Sequence, residues 1–163
     1  MTFSSCRRPT FLASSKLILC LGNGLVHVFG LLAPTGPLVH DSDGRVLSVL
    51  LLVDSLKLNV VNIYASNSVT ERRGCFGDLY SFFLSQGDLV LGGDFNCTDS
   101  ELDQFNLKTD LSGDRVRLTA LKSDFCLVDI WRKRNPRDRC YTWSTKSLSQ
   151  ASRLDGFFIS RSL

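Results

Sequence analysis

Two apolar runs rich in leucine and β-branched residues dominate the first half of the chain, separated by a two-residue polar break. Residues 46–53 (Val-Leu-Ser-Val-Leu-Leu-Leu-Val) read as one strand and Asp54-Ser55 as the turn. Residues 56–64, with Val60, Val61 and Ile63, read as the returning strand of a hairpin. Asp41-Ser42-Asp43-Gly44-Arg45, just before it, has the composition of a turn. Phe76, Leu79, Tyr80 and Phe83 then recur at helical spacing. They predict a helix over about residues 70–86, closed by Gly87 in the C′ role. Leu89-Val90-Leu91 follows as a short buried strand bounded by Gly92-Gly93, which leads into Asp94-Phe95-Asn96.

Residues 97–114 are polar and predict a long surface loop. A second helix is expected over about 114–124, with Val116, Leu118, Leu121 and Phe125 on its apolar face. Leu127 to Trp131 is a short apolar segment, 132–139 a basic loop, and 140–144 and 154–159 two closing strands. Strand, helix and strand in this order predict an α/β sandwich. Residues 1–38 fit this pattern least. Arg7 and Arg8 precede an apolar run over 17–33 that is broken by Gly22, Asn23, Gly24, His27 and Gly30. A basic start and an apolar stretch are the parts of a targeting segment, but the frequent breaks argue against one. An uninterrupted run of roughly 20 apolar residues, as a membrane span needs, is missing. The expected organisation is a poorly patterned segment, 1–40, and one domain, 41–163.

Composition refines this only modestly. With 163 residues, 44% of them hydrophobic and 21% charged, the chain can bury the core of one ordinary globular domain. A net charge of +3 permits contact with nucleic-acid phosphates without arguing for it. Cys6, Cys20, Cys75, Cys97, Cys126 and Cys140 are scattered with no C-x-x-C pair, which excludes a zinc-ligand pattern and a disulfide scaffold. His27 and His40 are too few for a histidine-based metal centre. The thiols are expected to be reduced and the protein intracellular, cytoplasmic or nuclear.

Asp94 and Asn96 are the chemically suggestive pair. In an extended segment residues two apart face the same side, so a carboxylate and an amide would meet at the mouth of a sheet. The glycines before them are expected to admit a ligand closely. The alternative is a strand ending in an Asx turn. The run 132–139 packs four arginines and one lysine into eight residues. It reads either as a solvated loop or as a grip on a DNA backbone. Trp131 and Trp143 read as core.

Four stretches in order carry a resemblance. They are Asn62-Ile63-Tyr64-Ala65-Ser66-Asn67, Gly92-Gly93-Asp94-Phe95-Asn96, Tyr141-Thr142-Trp143 and Ser152-Arg153-Leu154-Asp155. Together they resemble the endonuclease/exonuclease/phosphatase superfamily, most nearly the apurinic-type endonuclease domain of LINE-type (non-LTR) retrotransposon polyproteins. The resemblance implies a DNase I-like four-layer α/β sandwich of two mixed sheets with outer helices, here truncated. It also implies phosphodiester cleavage with a divalent metal, usually magnesium, with DNA as partner and no small-molecule cofactor or membrane. By the same resemblance Asp94 positions or deprotonates the attacking water, Asn96 orients Asp94 and the phosphate, and Tyr64 contacts the scissile phosphate or leaving group. Asn67 is a phosphate-side amide, with Ser66 where the family has proline. Asp155 is the carboxylate that holds a histidine. Thr142, Trp143, Arg132 and Arg134 belong to the substrate surface.

The departures are as informative. The family's metal-binding glutamate has no counterpart in residues 1–40, so no metal ligand is assigned. Its closing Ser-Asp-His has no counterpart either, because no histidine follows His40. A fragment of a retrotransposon endonuclease domain, inactive or weakly active as written, is therefore the expectation. The alternatives are a non-catalytic nucleic-acid-binding remnant and a secreted protein with an N-terminal targeting segment.

Overall fold

The computed structural model describes residues 35–36, 38–84, 86–107 and 113–163, together with the backbone of 17–19 and 26–28. Strands β1 (Leu17–Leu19) and β2 (Val26–Val28) pair as a small antiparallel ribbon. The targeting segment considered for the N-terminus otherwise lies outside the described residues. Among those described, no helix is long and apolar enough to cross a membrane.

The hairpin forms as its pattern predicts. β3 (Val39–His40) lies at the edge of β4 (Val46–Val53), and β4 pairs along its whole length with β5 (Leu56–Tyr64). The Asp41 carboxylate accepts from the backbone N–H groups of Arg45 (2.7 Å) and Val46 (2.9 Å), which closes the turn into β4. Asp54 and Ser55 both take positive φ (47° and 73°). A two-residue hairpin turn with both φ values positive matches the twist of its strands.

Helix α1 (Val69–Asp78) runs into a 3₁₀ turn, Leu79–Phe82, and the helical stretch ends earlier than its apolar spacing predicts. Gly87 does adopt φ +87°, but it caps no helix. A Cβ there would meet the Lys57 carbonyl oxygen at 2.5 Å, so the glycine lets the chain pass the start of β5. β6 (Asp88–Asp94) then adds parallel to β5.

The segment after it is not simply a surface loop. It holds a 3₁₀ turn, Glu101–Asp103, and β7 (Gln104–Phe105), with Thr98, Asp103 and Asp114 buried. Polar composition cannot distinguish a solvated acid from a buried one that has found an arginine. α2 (Gly113–Asp124) buries Leu118 and Leu121 but leaves Val116 exposed. At 100° per residue, Val116 lies roughly 200° from Asp114 and Leu118 and so falls on the opposite face.

β8 (Leu127–Asp129) leads directly into α3 (Ile130–Arg134), so the basic run begins as helix rather than loop. β9 (Trp143–Ser144) is shorter than the strand predicted over 140–144, β10 (Ala151–Ser152) forms in the segment read as a loop, and β11 (Asp155–Ser160) matches the strand predicted over 154–159 and lies inside the main sheet, between β6 and β8.

That sheet is six-stranded and mixed, in the order β3-β4-β5-β6-β11-β8, beside a three-stranded sheet β7-β10-β9. One face of the large sheet carries Val46, Val61, Ile63, Leu89, Leu91 and Phe158 against Phe76 and Leu79 from the α1 side and Leu118 and Leu121 from α2. Val49, Leu51 and Val60 form a separate cluster on the other face. The expectation of reduced thiols holds at Cys75, Cys97 and Cys126 and fails at Cys140, which is disulfide-bonded. Its partner lies outside the described residues. Linear spacing carries no information about a pairing between distant segments.

Candidate active site at the sheet mouth

Register brings three of the resemblance residues into one row. Tyr64, the last residue of β5, is the partner of Asp94 at the end of β6, and Asp94 is the partner of Asp155 at the start of β11. Partnered residues on neighbouring strands project to the same side. A phenol and two carboxylates therefore stand side by side at one end of the sheet. Tyr64 is 47% exposed, and the two aspartates are half-buried.

The glycines make this row possible in a different way from the one expected. A Cβ on Gly93 (φ +147°) would fall 1.9 Å from the Ile63 carbonyl oxygen, and one on Gly92 would fall 2.5 Å from the Phe157 ring. They clear space for the neighbouring strand and a neighbouring ring rather than for a ligand. Phe95 is buried, edge-on to Phe158 at 4.9 Å between centroids, and its N–H donates to the Leu154 carbonyl at 2.9 Å. This anchors the end of β6 and ties it to the entry of β11.

Asn96 does not continue the strand. It takes φ +44°, and its N–H donates to Asp94 Oδ1 at 2.9 Å. Asp94 and Asn96 thus meet through an Asx turn, not through extended geometry. The Asn96 side-chain amide donates to the Ala65 carbonyl at 2.7 Å, and the Ala65 N–H donates to the Asp94 carbonyl at 2.8 Å. The loop after β5 and the turn after β6 are sewn together just beyond the row.

Thr142 acts from beneath. Its hydroxyl oxygen accepts from the N–H groups of Leu154 (2.9 Å) and Asp155 (3.1 Å), fixing where β11 begins. Trp143 is 45% exposed and is not core. A two-residue strand at the side of a small sheet leaves its indole uncovered. Trp131 is half-buried, with two guanidiniums over its ring, Arg132 at 4.8 Å and Arg153 at 5.0 Å.

The predicted substrate arginines part company. Arg134 is exposed at the end of α3. Arg132 turns inward, donating to Asp103 (2.6 Å) and to the carbonyls of Asn135 (3.1 Å) and Asp138 (2.7 Å). Asn67 is exposed, and its carbonyl accepts from Arg72 at 3.1 Å.

Arg72 has no counterpart in the sequence reading. It is buried in α1, ion-paired to the buried Asp114 of α2 at 2.6 Å, and its Nη1 also donates to the Ser66 carbonyl at 2.7 Å. It therefore holds the 65–67 loop that Asn96 grips from the other side. The available signal was a charged residue one turn before Phe76 on a helix face, which sequence alone reads as solvated. Arg72→Lys keeps a cation near Asp114 but cannot span both helices and the two carbonyls. It is expected to lower stability by roughly 1.5–3 kcal/mol, the usual worth of a hydrogen bond to a charged group. A urea midpoint equal to that of the wild type would refute this.

Electrostatics single out Asp94. Burial pushes its carboxyl above the ordinary range and the charge of Asp155 adds to this, while the Asn96 N–H and Arg72 oppose. The neighbouring thiol of Cys97 is pushed up to about 12, chiefly by burial, so it stays protonated and is no nucleophile. Among the described residues no group of three or more His, Cys, Asp or Glu side chains is placed to hold a metal ion. Two adjacent carboxylates, one of them disfavoured as an anion, still fit the sparse donor set with which magnesium is commonly held, one or two carboxylates plus waters and substrate phosphate.

No family model matches the chain. Over 126 residues, 74% of its length, it is 33% identical to the Transposon TX1 uncharacterized 149 kDa protein of Xenopus laevis, of which it spans 10%. Its structure is similar to that of an AP endonuclease from Archaeoglobus fulgidus, with TM-score 0.64 at 17% identity over 82% of this chain and 61% of that one. It is also similar to the endonuclease domain of TRAS1, a telomere-specific non-LTR retrotransposon, with TM-score 0.51 at 14% identity over 77% of this chain and 56% of that one.

Proposed function

We propose that this chain, which has the DNase I-like fold of the endonuclease/exonuclease/phosphatase superfamily and resembles the endonuclease domain of LINE-type retrotransposons, carries the water-activating and phosphate-handling part of a metal-dependent phosphodiesterase site acting on DNA. The observation that supports it most is the row Tyr64–Asp94–Asp155, set on three adjacent strands with Asn96 turned onto Asp94.

Each residue has a role its chemistry allows. Asp94 accepts the proton of a water aimed at phosphorus, and its raised carboxyl makes it a better base than an ordinary surface aspartate. The Asn96 backbone N–H fixes which lone pairs of Asp94 remain available. The exposed Tyr64 hydroxyl donates to a phosphoryl or leaving oxygen, where a fixed donor is worth most as charge develops. With Asp94 as the base, Asp155 beside it would help hold a divalent ion, which would supply charge neutralisation at the phosphate. Asn67 and Trp143, both exposed, belong to the substrate side of the site, and Thr142 to its support.

The test is nicking of supercoiled plasmid with magnesium, compared with Tyr64→Phe. The wild type is expected to nick slowly. The phenylalanine variant should melt normally, because Tyr64 is half exposed, and should nick about 10²-fold more slowly. DNA retention without any nicking by the wild type would overturn the catalytic reading in favour of a non-catalytic binding role.

A further inference from the structure

The basic run divides into one interior arginine and an outward-facing set. Residues 132–139 carry four arginines, one lysine and one aspartate, a net +4, against +3 for the whole chain, so the remaining residues sum to −1. The protein's positive character is concentrated at this one place.

Arg132 does not share in it. It clamps the carbonyls of Asn135 and Asp138 from inside while its other nitrogen sits on Asp103. Asn135 closes α3 by donating its side-chain amide to the Trp131 carbonyl at 3.0 Å. The loop is therefore held in one shape from within. Lys133, Arg134, Arg137 and Arg139 are left exposed, and none takes part in an ion pair among the described residues. Among the described residues the Arg139 guanidinium reaches the Tyr141 hydroxyl, at 3.4 Å. Just past the loop, Thr142 holds the backbone of Asp155, so the end of the basic segment is tied to the strand that carries one residue of the row.

We propose that Lys133, Arg134, Arg137 and Arg139 form a preshaped surface for the phosphate backbone of a nucleic-acid duplex, seating it beside Tyr64, Asp94 and Asp155. The proposal rests on the phosphodiesterase reading for its direction, but its test does not. Cations on a clamped loop, without acidic partners among the described residues, release counterions on meeting a polyphosphate and carry no base information.

The measurement is fluorescence anisotropy of a labelled DNA duplex, and of its RNA counterpart, in EDTA so that no cleavage occurs, over about 50–200 mM salt. With all four cations changed to glutamine, binding should weaken uniformly across sequences. The log–log salt slope should fall by about 3–4, and Arg134→Gln alone should lower it by about 1. The residues are exposed, and circular dichroism checks each variant. If the fourfold variant misfolds, the single changes still report the slope. An unchanged slope, or a wild type that binds neither duplex, overturns the proposal. A DNA slope that responds while the RNA slope does not supports it with DNA as the occupant, and the reverse supports it with RNA. Slope loss in a chain that never nicks plasmid leaves this surface standing and removes only the catalytic reading.

Discussion

Asp94→Asn should abolish nicking and at the same time make the protein more stable. The carboxyl of Asp94 is raised by burial and by Asp155, so the folded state binds its proton more tightly than the unfolded chain does. The sign follows from linkage. Such a group contributes stability that is fully present below its unfolded value of about 3.9 and is lost as pH rises through the raised folded value. At neutral pH the wild type therefore carries an unfavourable anion. Asparagine has the same shape, keeps an oxygen for the Asn96 N–H and does not titrate. Thermal melts across this range should show the variant gaining on the wild type as pH rises from about 4, then a constant gap once Asp94 is fully ionised. Loss of a positioned base typically costs roughly 10²- to 10⁴-fold in rate. Wild-type nicking should fall as pH drops through the raised carboxyl value. A variant that melts below the wild type at neutral pH would show that Asp94 serves the fold rather than the chemistry. Gain in stability with loss of rate is the pattern of a site held in tension for function.

The same residues show what the sequence made legible. The hairpin was plain because apolar and β-branched residues fill two runs around a turn whose residues tolerate positive φ. Tyr64, Asp94 and Asp155 were legible as an ordered set. That they form one row is a fact of register, set by pairing between strands as far apart in sequence as β6 and β11. The Asx turn at Asn96 was among the alternatives, and it is the means by which the pair assembles. Buried charge was illegible. Arg72, Asp103, Asp114 and Arg153 look like surface residues until the partner is known, and each partner lies dozens of residues away. The basic run was read as one feature because its members are adjacent. The fold separates Arg132 from the rest by giving it an acid to meet.

That acid is the subject of the second large effect. Asp103→Ala should be among the most destabilising single changes in the chain. Asp103 is 1% exposed and accepts from two guanidiniums, Arg132 at 2.6 Å and Arg153 at 2.8 and 2.9 Å. Arg153 also reaches Asp129, whose other oxygen caps α3 by accepting from the Arg132 N–H at 2.9 Å. Burial works against the charge on Arg153, but its bonds to Asp103 and Asp129 outweigh that and hold its pKa up. Removing Asp103 strands both arginines in the interior with one acid between them. Breaking a buried pair in this way costs roughly 3–5 kcal/mol, a large part of the roughly 5–15 kcal/mol that stabilises a whole domain. The damage would extend to the site, because the Arg153 N–H donates to the Asp103 carbonyl at 2.9 Å only two residues before Asp155. A second variant separates the two arginines. Asp103→Leu combined with Arg153→Met removes one stranded guanidinium but leaves Arg132 without Asp103 and Asp129 without Arg153. The double variant should recover only part of the loss in urea midpoint. If Asp103→Ala unfolds within about 1 kcal/mol of the wild type, the network contributes only what an exposed ion pair does. The entry to β11 must then be held by Thr142 and the Phe95–Leu154 bond alone.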